Sequence, residues 1–151
     1  MNAEIPPLIV GTGTQSRIEI RMGEIERYSP SVHAQVSIMD RWIHVQHQQV
    51  WLDRTALKQF VDQVGAWARL RESGARLEGM SPEAFTLDFD LQGQARNIRV
   101  RYSLQTIAPD AWGPIIHAVS GTFDLNMEYL LLLIDDVRQM FMQLERAWAV
   151  E

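Results

Sequence analysis

The chain contains no cysteine. That excludes a disulfide scaffold, thiol catalysis and thiolate metal sites. Lysine is nearly missing too: of 14 basic residues, 13 are Arg and only Lys58 is Lys. Against 19 acidic residues this leaves a formal net charge of -5. Phosphate binding needs a concentrated basic surface, so no nucleic-acid partner is expected. Long apolar runs are also lacking. The longest, from Tyr129 to Ile134, has six residues, whereas a membrane-spanning helix needs about 20. Residues 1–7 show neither the basic region nor the apolar stretch of a signal peptide. The expectation is a soluble, cytoplasmic protein with no membrane attachment.

What is present is enough for a core. The chain has 151 residues, 46% of them apolar, which fits one domain over residues 1–151 and rules out a disordered chain. The charge is unevenly placed. Residues 114–151 hold 2 basic and 6 acidic side chains, so -4 of the -5 lies at the C-terminal end.

Alternation and helical spacing give the element order. Residues 17–27 alternate through Ile18, Ile20 and Met22, with Gly23 as a bulge before Ile25. Residues 32–39 alternate through Val32, Ala34, Val36 and Ile38, and a tight turn at Asp40-Arg41 leads into a strand over 42–52. Asp53 has the chemistry of a helix N-cap. Leu57, Phe60, Val61, Val64 and Trp67 follow at 3/4 spacing, which predicts a helix over residues 54–72.

A hairpin comes next. Phe85, Leu87, Phe89 and Leu91 alternate with acidic and polar positions, and Ile98, Val100, Tyr102 and Leu104 alternate with Arg99 and Arg101. If facing residues have numbers summing to 189, apolar faces apolar and Asp88 and Asp90 face Arg101 and Arg99. One register satisfies both faces, and that specifies a hairpin.

Residues 108–113, with Pro109 and Trp112, read as a loop, and residues 115–123 as a strand. Asp124 or Asn126 would cap the final helix. Its stripe of Leu130, Leu133, Val137, Met140, Leu144 and Trp148 is widened by Leu131, Leu132, Ile134 and Met142. A helix so broadly apolar is buried centrally or shared with a partner. The sum is an α+β domain: a curved antiparallel sheet of about seven strands in two blocks, each followed by a helix, with the helices packed on the sheet.

No arrangement of residues amounts to a catalytic site. His44 and His47 lie three apart on a strand and so point to opposite faces, a poor chelate. Asp88 and Asp90 share a strand face, but the facing arginines make a charged outer surface the simpler reading. Gly11-Thr-Gly-Thr lacks the lysine of a phosphate loop, and Ser120-Gly121 lacks the pattern of a nucleophile elbow. No enzyme activity, cofactor or metal is expected. Aromatic residues at element ends (Tyr28, Trp42, Trp51, Trp112 and Trp148) suit either core lids or binding hot spots.

Three segments carry a family resemblance. They are Val50-Trp51 with Leu57-x-x-Phe60; Gly74-Ala-Arg-Leu77 with residues 85–91, Gly93 and Ile98-Arg-Val100; and Thr122-Phe123-Asp124 leading into Tyr129-Leu130. Over about residues 30–145 their order resembles the WapI-like immunity proteins of bacterial polymorphic-toxin systems and related bacterial domains of unknown function. The resemblance implies a small protein that binds and neutralises a cognate toxin without catalysis. Its acidic charge would suit a basic toxin. The residues alone leave open a structural or scaffolding domain, homodimeric through the last helix. The expected partner surface lies at the acidic, apolar C-terminal end: Trp148, Glu145, Asp135 and Asp136, with Trp112.

Overall fold

A computed structural model describes residues 5–11, 15–70, 74–81, 83–91, 97–110 and 113–149. The first block is β1 (Leu8–Val10), β2 (Ser16–Glu26), β3 (Ser31–Asp40) and β4 (Ile43–Asp53), followed by helix α1 (Arg54–Leu70). The second is β5 (Ala75–Glu78), β6 (Phe85–Leu91), β7 (Asn97–Asp110) and β8 (Gly113–Asn126). A short 3-10 turn, Met127–Tyr129, then leads into helix α2 (Leu130–Ala149). Each block forms its own four-stranded antiparallel sheet, in chain order. The α+β class and the two blocks, each closed by a helix, are as the patterning implies; among the described residues the strands number eight, in two sheets rather than one.

Most of the local signals coincide with the structure. In β2 the register shifts between Met22 and Ile25, at the expected bulge. A side chain on Gly23 would meet the His33 carbonyl oxygen at 2.7 Å, which is why the bulge carries glycine. Asp53 caps α1 by accepting the Ala56 N–H at 2.6 Å. Asn126 caps the 3-10 turn through Glu128 N–H. The β3–β4 turn falls at Arg41 and Trp42, one residue beyond the expected Asp40-Arg41, because Asp40 still pairs with Ile43 and Arg41 takes the left-handed conformation at φ 55°.

The hairpin of β6 and β7 has the expected register, Phe85 facing Leu104 through Leu91 facing Ile98. Its ion pairs differ from the expected ones. Asp88 faces Arg101 in the ladder, yet it pairs with Arg76 on β5 (3.3 Å). Arg101 reaches diagonally to Asp90, and Arg99 pairs with Asp124 on β8 (both 3.2 Å). The flanking strands offer each charge a second neighbour, which a two-strand argument omits.

The segment at 108–110 is strand, not loop. β7 runs to Asp110 and β8 starts at Gly113, with Pro109 opposite Pro114. Pro109 is tolerated because β6 ends opposite Leu104, so β7 has only β8 as a neighbour beyond that point and loses no hydrogen bond on its free side.

The inner faces of both sheets and of both helices share one apolar core. From α1, Leu57, Phe60, Val64 and Trp67 are buried, and Phe60 and Trp67 flank Phe89 of β6 at ring distances of 5.6 and 6.4 Å. Such side chains contribute roughly 1.5–3 kcal/mol each on burial. From α2, Leu130, Leu133, Ile134, Val137, Met140 and Leu144 are buried. One polar tie joins the two sheets inside this core. Asp40 at the end of β3 accepts Ser16 Oγ–H of β2 at 2.7 Å and Tyr102 O–H of β7 at 2.6 Å.

Candidate interaction site

The buried stripe of α2 leaves Leu131 and Leu132 on the opposite side of the helix. They are 78% and 61% exposed, the largest exposures of any leucine among the described residues. Glu128 lies one turn before them and Asp135 and Asp136 one turn after, all exposed. Met142, also exposed, stands three turns beyond Leu131 on the same side. Two leucines in water inside a ring of three carboxylates form a surface suited to a partner that is apolar at its centre and basic at its rim.

The electrostatics of this patch follow from its crowding. Partial burial, with the neighbouring Asp135 charge second, holds the Asp136 carboxyl above its ordinary range. Among the described residues neither Asp135 nor Asp136 has an ion-pair partner. An approaching Arg or Lys would relieve the mutual repulsion.

Of the residues expected at the partner surface, Asp135 and Asp136 are therefore together on the open face. Glu145 and Trp148 lie further along α2 and are engaged within the chain. Glu145 forms a two-pronged ion pair with Arg54 at the start of α1, with Arg54 Nη2 at 3.2 Å from Oε2. That pairing holds the Glu145 carboxyl below its ordinary range. Trp148 Nε1 donates to the Ser31 carbonyl at 3.0 Å, and its ring meets Phe141 edge-on. These two residues fasten α2 to α1 and β3. Trp112 lies outside the described residues.

Leu131 and Leu132 were visible in the sequence only as an excess of apolar residues. The signal was their place: with the buried stripe at 130, 133, 137, 140 and 144, they cannot face inward.

The other aromatic residues separate by position. Tyr28 and Trp42 sit on turns and are almost wholly exposed. Trp51 is 40% exposed, stacks on His33 at 4.6 Å, and borders a cleft of about 560 Å³ with Met80 and Ser81. Three of the expected lids are thus at the surface. Among the described residues no group of three or more His, Asp or Glu could hold a metal ion, and no helix is long and apolar enough to cross a membrane.

Comparison with protein-family models yields no match, and no curated protein is detectably similar in sequence.

Proposed function

We propose that this chain is a non-catalytic binding protein that uses the outer face of α2 to hold a basic protein partner. In the immunity reading, that partner is a cognate toxin, which the chain neutralises in the cytoplasm. The observation that carries the proposal is the exposed Leu131–Leu132 pair set among Glu128, Asp135 and Asp136. Leucines buried against the partner would supply affinity, and the carboxylates would steer a basic surface and fix its orientation.

The same leucines suit the scaffolding reading, self-association through α2. The charges weigh against it. An antiparallel two-fold through Leu131 and Leu132 would set Asp135 and Asp136 of one copy beside Glu128 of the other, and like charges juxtaposed across an interface cost several kcal/mol.

The test uses the source bacterium. The product of the neighbouring reading frame is expressed with and without this chain, and the chain is used to capture it. Growth arrest relieved by the chain, together with capture lost in a Leu131→Ser/Leu132→Ser variant of unchanged melting temperature, is the expected result. A harmless neighbour with no toxin captured would overturn the immunity reading. Capture unaffected by the double variant would overturn the placement on α2.

A further inference from the structure

Two four-stranded open sheets have four edges, and among the described residues three of them receive at least one backbone contact from elsewhere in the chain. At β1, three residues long, Tyr129 O–H donates to the Ile9 carbonyl at 2.6 Å. At β4 the Trp51 carbonyl accepts Met80 N–H at 2.8 Å, which covers the C-terminal end of the strand, and a register shift between Val36 and Ile38 breaks the regularity of the ladder before it. At β5, four residues long and packed by α1, the Gln63 side chain accepts Arg76 N–H at 2.8 Å. These are the usual means by which proteins blunt an edge.

The fourth edge is β8. It has 14 residues and pairs only with β7. Among the described residues no loop, helix or side chain bonds to its outer backbone groups. Its stretch from His117 to Phe123 contains no charged Asp, Glu, Lys or Arg and no proline, the residues that normally guard an edge. On its inner side Val119 and Phe123 are only partly buried, although they pack against the core. Gly121 is covered by the Tyr102 ring and hydroxyl, which a Cβ there would strike, so the strand is backed up to its open edge.

We infer that two copies of this chain pair β8 to β8, antiparallel, about a two-fold axis at or beside Ser120, so that two four-stranded sheets become one of eight. The strand is complementary to itself in this arrangement. Odd-numbered positions face odd-numbered ones, so the Val119–Phe123 row of one copy covers that of the other, and the small exposed Ala118, Ser120 and Thr122 meet on the opposite face. The one acidic residue, Asp124, sits at the end of the stretch. The antiparallel two-fold therefore sets the two Asp124 carboxylates more than about 20 Å apart, beyond effective repulsion at physiological salt. The pairing uses a surface distinct from the α2 face, leaving that face free for a partner.

The absence of cysteine makes the test clean. Sedimentation of the full chain over a concentration series should show a reversible dimer. Ser120→Lys places two ammonium groups face to face or on the diagonal and should weaken the dimer at least tenfold, with an unchanged circular dichroism spectrum. Leu131→Ser/Leu132→Ser should leave it intact. Ser120→Cys, the sole thiol, should join two chains with a short bismaleimide, whereas Arg138→Cys on α2 should not. A chain that stays monomeric up to about 0.5 mM, weaker than about -4.5 kcal/mol of association, overturns the inference. So does a dimer that survives Ser120→Lys, or one that dissolves only when the α2 leucines are changed.

Discussion

Tyr102→Phe removes one oxygen from the middle of the molecule and tests how the two sheets are joined. In the parent, the Tyr102 hydroxyl donates to Asp40 Oδ2 at 2.6 Å, and both residues are buried, at 2% and 9% exposure. Without it, Asp40 keeps the Ser16 hydroxyl among the described residues. A buried hydrogen bond to a charged group is worth about 1.5–3 kcal/mol, so the variant should lose about 2 kcal/mol. For a chain of this size that corresponds to a fall of about 4–8 °C in melting temperature. Asp40→Ala should cost more, because it orphans two hydroxyls.

The bond also makes an alkaline signature. Burial, reinforced by the hydrogen bond and charge of Asp40, raises the Tyr102 phenol above its ordinary range. The folded state then holds this proton more tightly than the unfolded chain does. The stabilisation is complete below about pH 10, the unfolded value, and is lost as pH rises above it. Urea unfolding of parent and variant at neutral pH and at a series of pH values above 10 measures both effects. A Tyr102→Phe loss below about 0.5 kcal/mol, or an alkaline limb of the same slope in both proteins, would refute the cross-sheet tie.

Further outcomes follow from the same geometry. Gly121→Ala should cost about 1–3 kcal/mol by overpacking, since a Cβ there meets the Tyr102 ring at 2.7 Å or closer; combined with Tyr102→Phe its cost should be less than additive in denaturant titrations. Trp148→Phe should lose about 1 kcal/mol with the N–H bond to Ser31, and should leave capture of the proposed partner unchanged, which separates a fastening residue from a binding one. Trp67→Ala should cost about 3–5 kcal/mol, because a fully buried ring stacked on Phe89 is lost. Glu19 is held below its ordinary range by Arg17 and Arg21, so its pairing stabilises the fold above the unfolded Glu value of about 4.3 and is lost as pH falls through the lower folded value. Glu19→Gln should accordingly cost up to about 1 kcal/mol at neutral pH and nothing at pH 2, as read by thermal melts.

Particular elements show how far the sequence reached. The β6–β7 register could be read because apolar and charged faces demanded the same alignment, and a slip of one residue would have reversed both. Its ion pairs could not, because Arg76 and Asp124 come from flanking strands whose position no local pattern encodes. The inner stripe of α2 followed from 3.6-residue periodicity. The roles of Glu145 and Trp148 did not, since their partners Arg54 and Ser31 lie 91 and 117 residues away in the chain.

At residues 108–110, expected as loop, the strand persists for a related reason. Proline weakens a strand only where its missing N–H would have been bonded, and whether a neighbour is present is a property of the sheet.

The order of the main elements, the bulge at Gly23, the cap at Asp53, the choice of Asp124 or Asn126 before the final helix, and the apolar face of each strand and helix are legible in the sequence alone. All of these follow from backbone sterics and the periods 2 and 3.6, which act over a few residues. The assembled fold, in contrast, sets that the two blocks form separate sheets tied through Asp40, that α2 turns Leu131 and Leu132 outward while engaging Glu145 and Trp148 within the chain, and that β8, among the described residues, has no neighbour but β7. Those outcomes depend on which distant surfaces meet, and an edge or an exposed face exists only after every other surface has found its cover.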